Sequence, residues 1–357
     1  MRVMHIAPGA PFGGVQRIVM NLARAQAASH RVATLWTGEM PHAEAKSVDR
    51  KTKTEEFLSS GSLLARVMRA RGAIKAYDPD IVHLHMPAPW IALSLFNIRA
   101  KICLHLHGEP VRAGSLKARL GRELERIMVA HAGTLVAISD WIEQVWRERY
   151  PTARYRVVRN GVPVACEKPP AAKPVSTSPV VGFASRLAPD KGVAEFARFA
   201  IVMHEAHPNA LFRIAGDGSQ RRMLENELSS LIASGAAEIL GHVSDMKTFW
   251  SQLDLAIFTA PAEPFGLRLI EPVAEGVPVI AYETGAGSDE IARDCAGIVL
   301  VPYEDPRAMA ELAARLLSDD ERRRVMVVEG AGDVARYFSL DAMTSGMAEV
   351  YQELLSR

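Results

Sequence analysis

The sequence predicts an α/β protein of two parallel-sheet domains in tandem, and three observations carry that expectation. Short apolar runs alternate with helix-spaced stretches along both halves of the chain. A proline-rich segment interrupts the alternation once, near the middle. The 357 residues exceed what one core comfortably serves and suit two.

In the first half, residues 3–7, 32–36, 81–85, 101–106 and 134–138 read as strands. Helices are predicted between them. Val15, Ile18, Val19, Leu22 and Ala23 recur at three- and four-residue spacing. Residues 63–76, 116–130 and 141–149 carry helix-like patterns too. Such alternation means a parallel sheet covered on both faces. From 160 to 179, Pro163, Pro169, Pro170, Pro174 and Pro179 deny the chain a long helix or a central strand, so this stretch is the predicted linker. Alternation then restarts, with strands expected at 180–184, 211–215, 253–258 and 278–281. The expected layout is a Rossmann-like domain over 1–165, a second over 166–339, and an amphipathic C-terminal helix within 340–357 that can pack back on the first. Open parallel sheets bind ligands at the carboxyl ends of their strands. Two such sheets joined by one linker predict a ligand in a cleft between them.

Composition narrows the class. Hydrophobic residues at 48% and charged residues at 23% describe a soluble globular chain. The longest near-apolar stretch, 86–98, holds two prolines and an asparagine and is shorter than the roughly 18–20 residues of a membrane span. Met1-Arg2 leads straight into a strand-like run, without the pattern of a signal peptide. Cys103, Cys166 and Cys295 are odd in number and far apart, which argues against a disulfide framework and fits a reducing cytoplasm. The net charge of +1 conceals a division. Residues 1–178 carry 26 Lys and Arg against 14 Asp and Glu, whereas residues 179–357 carry 16 against 27. The two halves are either solvated surfaces that attract each other across a cleft, or the basic one faces an anionic partner such as a lipid headgroup, a lipid diphosphate or a nucleic acid.

Three loops carry the chemistry. Gly9-Ala10-Pro11-Phe12-Gly13-Gly14 stands between a strand and a helix, where Gly13 and Gly14 let the backbone approach a ligand near a helix N-terminus. It is not the GxGxxG of a dinucleotide fold, and Glu39 is the only acidic candidate near the end of the second strand. Ser185-Arg186-Leu187-Ala188-Pro189-Asp190-Lys191-Gly192 follows a strand, so Arg186 and Lys191 can neutralise a diphosphate. Glu263-Pro264-Phe265-Gly266-Leu267-Arg268-Leu269-Ile270-Glu271 also follows a strand. With a helix beginning near Gly266, the amides of Gly266 and Leu267 can receive phosphate oxygens. Glu263 and Glu271 can accept hydrogen bonds from vicinal hydroxyls of ribose or sugar.

Glu-x7-Glu, Arg-x4-Lys-Gly, the Gly-Gly loop and Asn160-Gly161-Val162, in that family's order, resemble the retaining family-4 (group 1) glycosyltransferases of GT-B fold. Gly216-Asp217-Gly218 and Gly241-His242-Val243 extend the resemblance over nearly the whole chain. It implies a C-terminal domain that holds a nucleotide-diphosphate-sugar donor, UDP- or GDP-linked, and an N-terminal domain that holds the acceptor. Arg186 and Lys191 match the pair that grips the diphosphate, Glu271 the ribose ligand, Glu263 the carboxylate near the transferred sugar, and Gly14 the loop glycine near the phosphates. His107 matches the family histidine near the donor sugar. The implied activity is metal-independent, retaining hexosyl transfer without cofactor. The implied acceptor is a saccharide or lipid-linked saccharide, in cell-surface polysaccharide or glycolipid assembly, and no nucleic acid is expected as partner. A nucleotide-sugar 2-epimerase and an inactive nucleotide- or glycan-binding protein of the same fold are the alternatives.

The sequence departs from the family at Pro264, at Pro272 inside the expected helix, and over residues 284–290. His83-Leu84-His85 and His105-Leu106-His107 form two HxH pairs, each on one face of a strand. They show no familiar ligand spacing, so His83, His85 and His105 are read as lone core or cleft histidines, with no metal expected. Arg112, Lys117, Arg119, Arg122 and Arg126, interleaved with apolar residues, form either a solvated helix face or one that lies peripherally on an anionic membrane.

Overall fold

The computed structural model describes residues 1–9, 13–38, 53–57, 61–86, 88–111, 114–164 and 177–357. Cys166, Glu39, Arg112 and most of the proline-rich stretch lie outside them. The chain divides into two compact units. The first comprises Met1–Pro163 and Ser339–Arg357, the second Val164–Phe338.

Among the described residues the first unit holds seven parallel strands: β1 (Arg2–Ala7), β2 (Arg31–Thr37), β3 (Lys53–Phe57), β4 (Ile81–His85), β5 (Lys101–Leu106), β6 (Thr134–Ala137) and β7 (Tyr155–Val157). Their order is β3-β2-β1-β4-β5-β6-β7. The second holds six: β8 (Val180–Ala184), β9 (Leu211–Ala215), β10 (Ala237–Gly241), β11 (Leu255–Phe258), β12 (Val279–Glu283) and β13 (Ile298–Pro302), in the order β10-β9-β8-β11-β12-β13. β4 is buried at every residue, which is the signature of a strand covered on both faces.

Helices form where the apolar spacing and the caps agree. In α1 (Gly14–Gln26), Ile18, Val19, Leu22 and Ala23 are buried on one stripe. The side chains of Ser62, Ser115 and Ser139 accept the first-turn amides of α2 (Leu63–Tyr77), α3 (Leu116–His131) and α4 (Asp140–Arg149). Each such cap stabilises its helix by about 1 kcal/mol. In the second unit, α5 (Val193–Ala206) buries Phe196, Phe199 and Met203. The short helix α6 (Leu267–Ala274) contains Pro272, whose missing N–H removes one internal bond. α6 ends two residues later, with the Pro272 carbonyl accepting from Glu275 and Val277.

The last helix, α7 (Leu340–Leu355), belongs to the first unit. Ser339 caps it, and the Leu340 amide donates to the Val162 carbonyl. It buries Met343, Met347, Val350, Tyr351 and Leu354, and packs on α1 and β5.

Candidate functional site

Each sheet reverses its order once: between β1 and β4 in the first unit, and between β8 and β11 in the second. At such a point adjacent loops leave in opposite directions and open a crevice at the strands' carboxyl ends. The residues singled out from the sequence stand on these loops. Gly13 and Gly14 follow β1, Arg186 and Lys191 follow β8, and Glu263, Gly266 and Leu267 follow β11. His107 follows β5, next to β4.

In the second unit the loops after β8 and β11 are tied together. Lys191 Nζ lies 2.7 Å from Glu263 Oε2. Gly192 holds a left-handed φ of 68°, and a Cβ there would stand 1.8 Å from the Thr259 carbonyl oxygen. Glycine is therefore required for the loop after β8 to lie against the end of β11. Thr259 Oγ1 donates to the Gly192 carbonyl at 2.7 Å across the same contact. Arg186 reaches outward and pairs with Asp190 at 3.0 Å, with both side chains more than half exposed. That pair is weak in water and free to exchange its carboxylate for a phosphate.

Gly266, with φ of 92°, starts α6, and no side chain caps that helix end. Its N-terminus thus presents a positive dipole end without a side-chain cap. Glu271 lies one turn along and pairs with Arg268 at 2.9 Å, while Arg268 rests over Trp250. Glu263 and Glu271 therefore have different cations: one faces the Lys191 loop and the other its own helix. In the departing segment, Asp289 accepts from the amides of Thr284 and Gly285 at 2.9 and 2.6 Å, and the Ser288 amide donates to the Glu263 carbonyl at 3.0 Å. That segment thus supports the backbone of Glu263.

In the first unit, the amide of Gly13 donates to Gln16 Oε1 at 2.9 Å, and Gln16 Nε2 donates to the Gly9 carbonyl at 2.7 Å. One buried glutamine thus fixes both sides of the glycine loop. Met86, just past β4, has a φ of 43°, a strained value for a non-glycine residue at a strand's carboxyl end.

The histidines are not isolated, contrary to the expectation from spacing. The parallel register sets His5 opposite His83, and His85 opposite His105. Two chains of contact result. His107 Nε2 lies 3.0 Å from His85 Nδ1, His85 Nε2 2.9 Å from His5 Nδ1, and His5 Nε2 2.9 Å from Gln26 Oε1. His105 Nδ1 lies 3.1 Å from His83 Nε2, and His83 Nδ1 2.6 Å from the Tyr351 hydroxyl of α7. Burial pushes His5 down to about 4, against the opposing effect of the hydrogen bond that His5 donates to Gln26 Oε1. Burial likewise takes His107 down to about 3. His83, His85 and His105 fall well below the usual range through burial and through their imidazole neighbours. All five are neutral imidazoles near neutral pH. Gln26 and Tyr351 carried no signal in any sequence motif; only the sheet register and the return of α7 bring them in.

Two family models take up most of the chain. Residues 12–165 match glycosyltransferase family 4, and residues 167–332 match glycosyl transferases group 1. An exopolysaccharide phosphotransferase of Streptomyces coelicolor is 30% identical over 290 residues, covering 80% of this chain but only 30% of the Streptomyces protein. A D-inositol 3-phosphate glycosyltransferase of Corynebacterium urealyticum is 26% identical over 336 residues, covering 84% of this chain and 78% of the relative. Among solved structures, a glycosyltransferase from Rickettsia africae superposes with a TM-score of 0.80 at 21% identity, over 99% of this chain and 98% of the other. The Anabaena protein HepE, crystallised with UDP-glucose, gives 0.81 at 17% identity, over 99% and 100%. At these identities the solved structures show a shared fold. With its two sheets, their order and the two matched models, the chain belongs to the group 1 glycosyltransferases and has the GT-B fold.

Proposed function

We propose that the protein is a retaining glycosyltransferase that takes a sugar from a UDP- or GDP-linked donor and passes it to a saccharide or lipid-linked saccharide, in assembly of a cell-surface polysaccharide or glycolipid. One observation carries the donor half of this reading. Arg186, Lys191 and Glu263 share the switch point of the second sheet, with Lys191 held 2.7 Å from Glu263 beside the uncapped start of α6. Sugar transfer needs a leaving diphosphate whose charge is stabilised by fixed groups. Lys191 and Arg186 supply positive charge, and the N-terminal amides of α6 supply oriented donors. Glu271 is the assigned ribose ligand.

Glu263 is assigned as a ligand of the transferred sugar. A double displacement would require a carboxylate nucleophile beneath the sugar. The ammonium on Glu263 Oε2 supports a binding role instead, because an ion-paired oxygen is a poorer nucleophile. Retention then arises without a covalent enzyme intermediate. His107 is the catalytic residue assigned to the first unit, and Gly13 and Gly14 approach the phosphates with their backbone. The transfer chemistry in this reading draws on protein groups alone and needs no cofactor. A cytoplasmic setting, with peripheral contact to an anionic membrane, suits a lipid-linked acceptor.

The test is direct. Purified protein is incubated with radiolabelled UDP- or GDP-sugars and a panel of saccharide and lipid-linked acceptors, and product anomers are assigned by NMR. Transfer with the donor's anomeric configuration kept supports the reading. Inverted product removes the retaining assignment, and sugar released or epimerised without acceptor removes the transferase assignment.

A further inference from the structure

We propose that the first unit contains a transition-metal site, with His85, His105 and His107 as ligands for a late first-row divalent ion of the zinc or nickel class. One ring nitrogen of each lies within 4.8 Å of those of the other two, with His85 and His105 buried and His107 partly exposed.

A hydrogen-bonded histidine stack alone does not account for every atom. His105 Nε2 is fully buried and has no hydrogen-bond partner among the described residues, although its other nitrogen is held by His83. A buried polar atom without a partner costs about 1–3 kcal/mol and calls for an explanation. A metal ion supplies one.

The surrounding contacts have the form of a ligand-supporting shell. A metal-bound histidine normally donates its second N–H to a fixed partner, which sets its tautomer and orientation. Here His85 Nε2 faces His5, which faces Gln26, and His105 Nδ1 faces His83, which faces Tyr351. In both cases the nitrogen left over is the one available to the cluster: Nδ1 of His85 and Nε2 of His105. His85 Nδ1 and His107 Nε2 are 3.0 Å apart. Two imidazole nitrogens on a tetrahedral zinc, each bonded at about 2.0–2.1 Å, stand roughly 3.4 Å apart. For that pair the spacing is within a few tenths of an ångström of what an ion needs, and each ring must also turn so that its lone pair points at the ion and not at the other nitrogen. The proton balance closes. Each neutral ring keeps its single proton on the nitrogen turned from the ion: His85 donates to His5, His105 donates to His83, and His107 carries its proton on Nδ1.

The donor set selects the ion. Imidazole nitrogens suit zinc, nickel, cobalt and copper, whereas magnesium and calcium take oxygen ligands. Both candidate clusters found among the described residues of this sheet are composed of histidine alone, and His85 belongs to both.

The site shares His107 with the transferase reading, but its ligands are all residues of the first unit. Its test reads binding, so the two fail independently. Untagged full-length protein, stripped with chelator and dialysed, is titrated calorimetrically with zinc chloride and, in parallel, with magnesium chloride. One zinc per chain and no magnesium binding are expected. His105→Ala and His107→Ala should each weaken zinc binding at least tenfold, and Tyr351→Phe should weaken it by about tenfold through His83. Circular dichroism checks that each variant is folded. Because His107 is less buried than His105, its variant decides the matter if His105→Ala does not fold. No saturable zinc binding, or binding unchanged in folded His107→Ala and Tyr351→Phe, overturns the proposal.

Discussion

On the proposed reading, Lys191 serves two states. Without donor it is neutralised by Glu263 at 2.7 Å, and a diphosphate offers it a stronger partner. Lys191→Ala is expected to lower kcat/KM by about 100- to 1,000-fold, as for loss of one fixed donor to a developing anion. Steady-state kinetics with the cognate donor check this, with circular dichroism unchanged. Arg186→Ala should weaken nucleotide binding with less effect on stability, because Arg186 is exposed and bonded only within its own loop. The histidines set a different expectation. Unfolded histidine takes up a proton below 6.5, whereas native His5 does so only near 4 and native His107 only near 3. Between those values the unfolded chain binds more protons, so acid favours unfolding. Stability contributed by neutral burial is complete above 6.5 and is lost as pH falls, with His5 alone worth about 3 kcal/mol by pH 4. Urea titrations of metal-free protein from pH 7 to about 4 should show that decline. A flat profile would contradict the buried stack.

At the scale of elements, α7 is the tie most open to test. It follows the second unit in sequence but packs in the first, burying Met343, Met347, Val350, Tyr351 and Leu354. Each large apolar side chain is worth roughly 1.5–3 kcal/mol when buried. Deleting residues 340–357 should therefore unfold the first unit, seen as loss of a thermal transition or as insoluble expression. The periodicity of α1 and the apolar runs of β1, β4, β5, β8 and β9 were legible in the sequence because period and burial coincide there. β3 was not, because Lys53-Thr54-Glu55-Glu56-Phe57 is polar and has no apolar alternation. β7 was not, because three residues carry no period. The candidate loops after β8 and β11 could be picked out because Arg186, Lys191, Glu263 and Glu271 sit at fixed local spacings. The histidine stack could not, because its contacts depend on register between β1, β4 and β5 and on the hydroxyl of Tyr351 from the far end of the chain.

For the whole molecule, the charge division is the largest-scale feature of the sequence, with the basic excess in residues 1–178. Within that half, α3 exposes Arg119, Leu120 and Arg126, and α2 exposes Leu64 and Met68. Both helices pack on the turn Pro89–Ser94. Exposed apolar and basic side chains on neighbouring helices suit an anionic lipid surface. Among the described residues no helix is long and apolar enough to cross a membrane, so any such contact by these helices is peripheral. Co-sedimentation with vesicles containing anionic lipid should exceed that with neutral vesicles and fall with added salt. Binding indifferent to lipid charge would remove the membrane contact while leaving the donor site untouched.

The central claim, a nucleotide-diphosphate-sugar held by the second unit, is tested most directly by thermal unfolding with UDP, GDP, ADP and NAD at equal concentration. One nucleoside diphosphate should raise the transition, by about 2.7 kcal/mol of stability at 100 times its dissociation constant. The rise should vanish in Lys191→Ala and shrink in Arg186→Ala. A rise with NAD alone, or one that survives Lys191→Ala undiminished, would contradict the account.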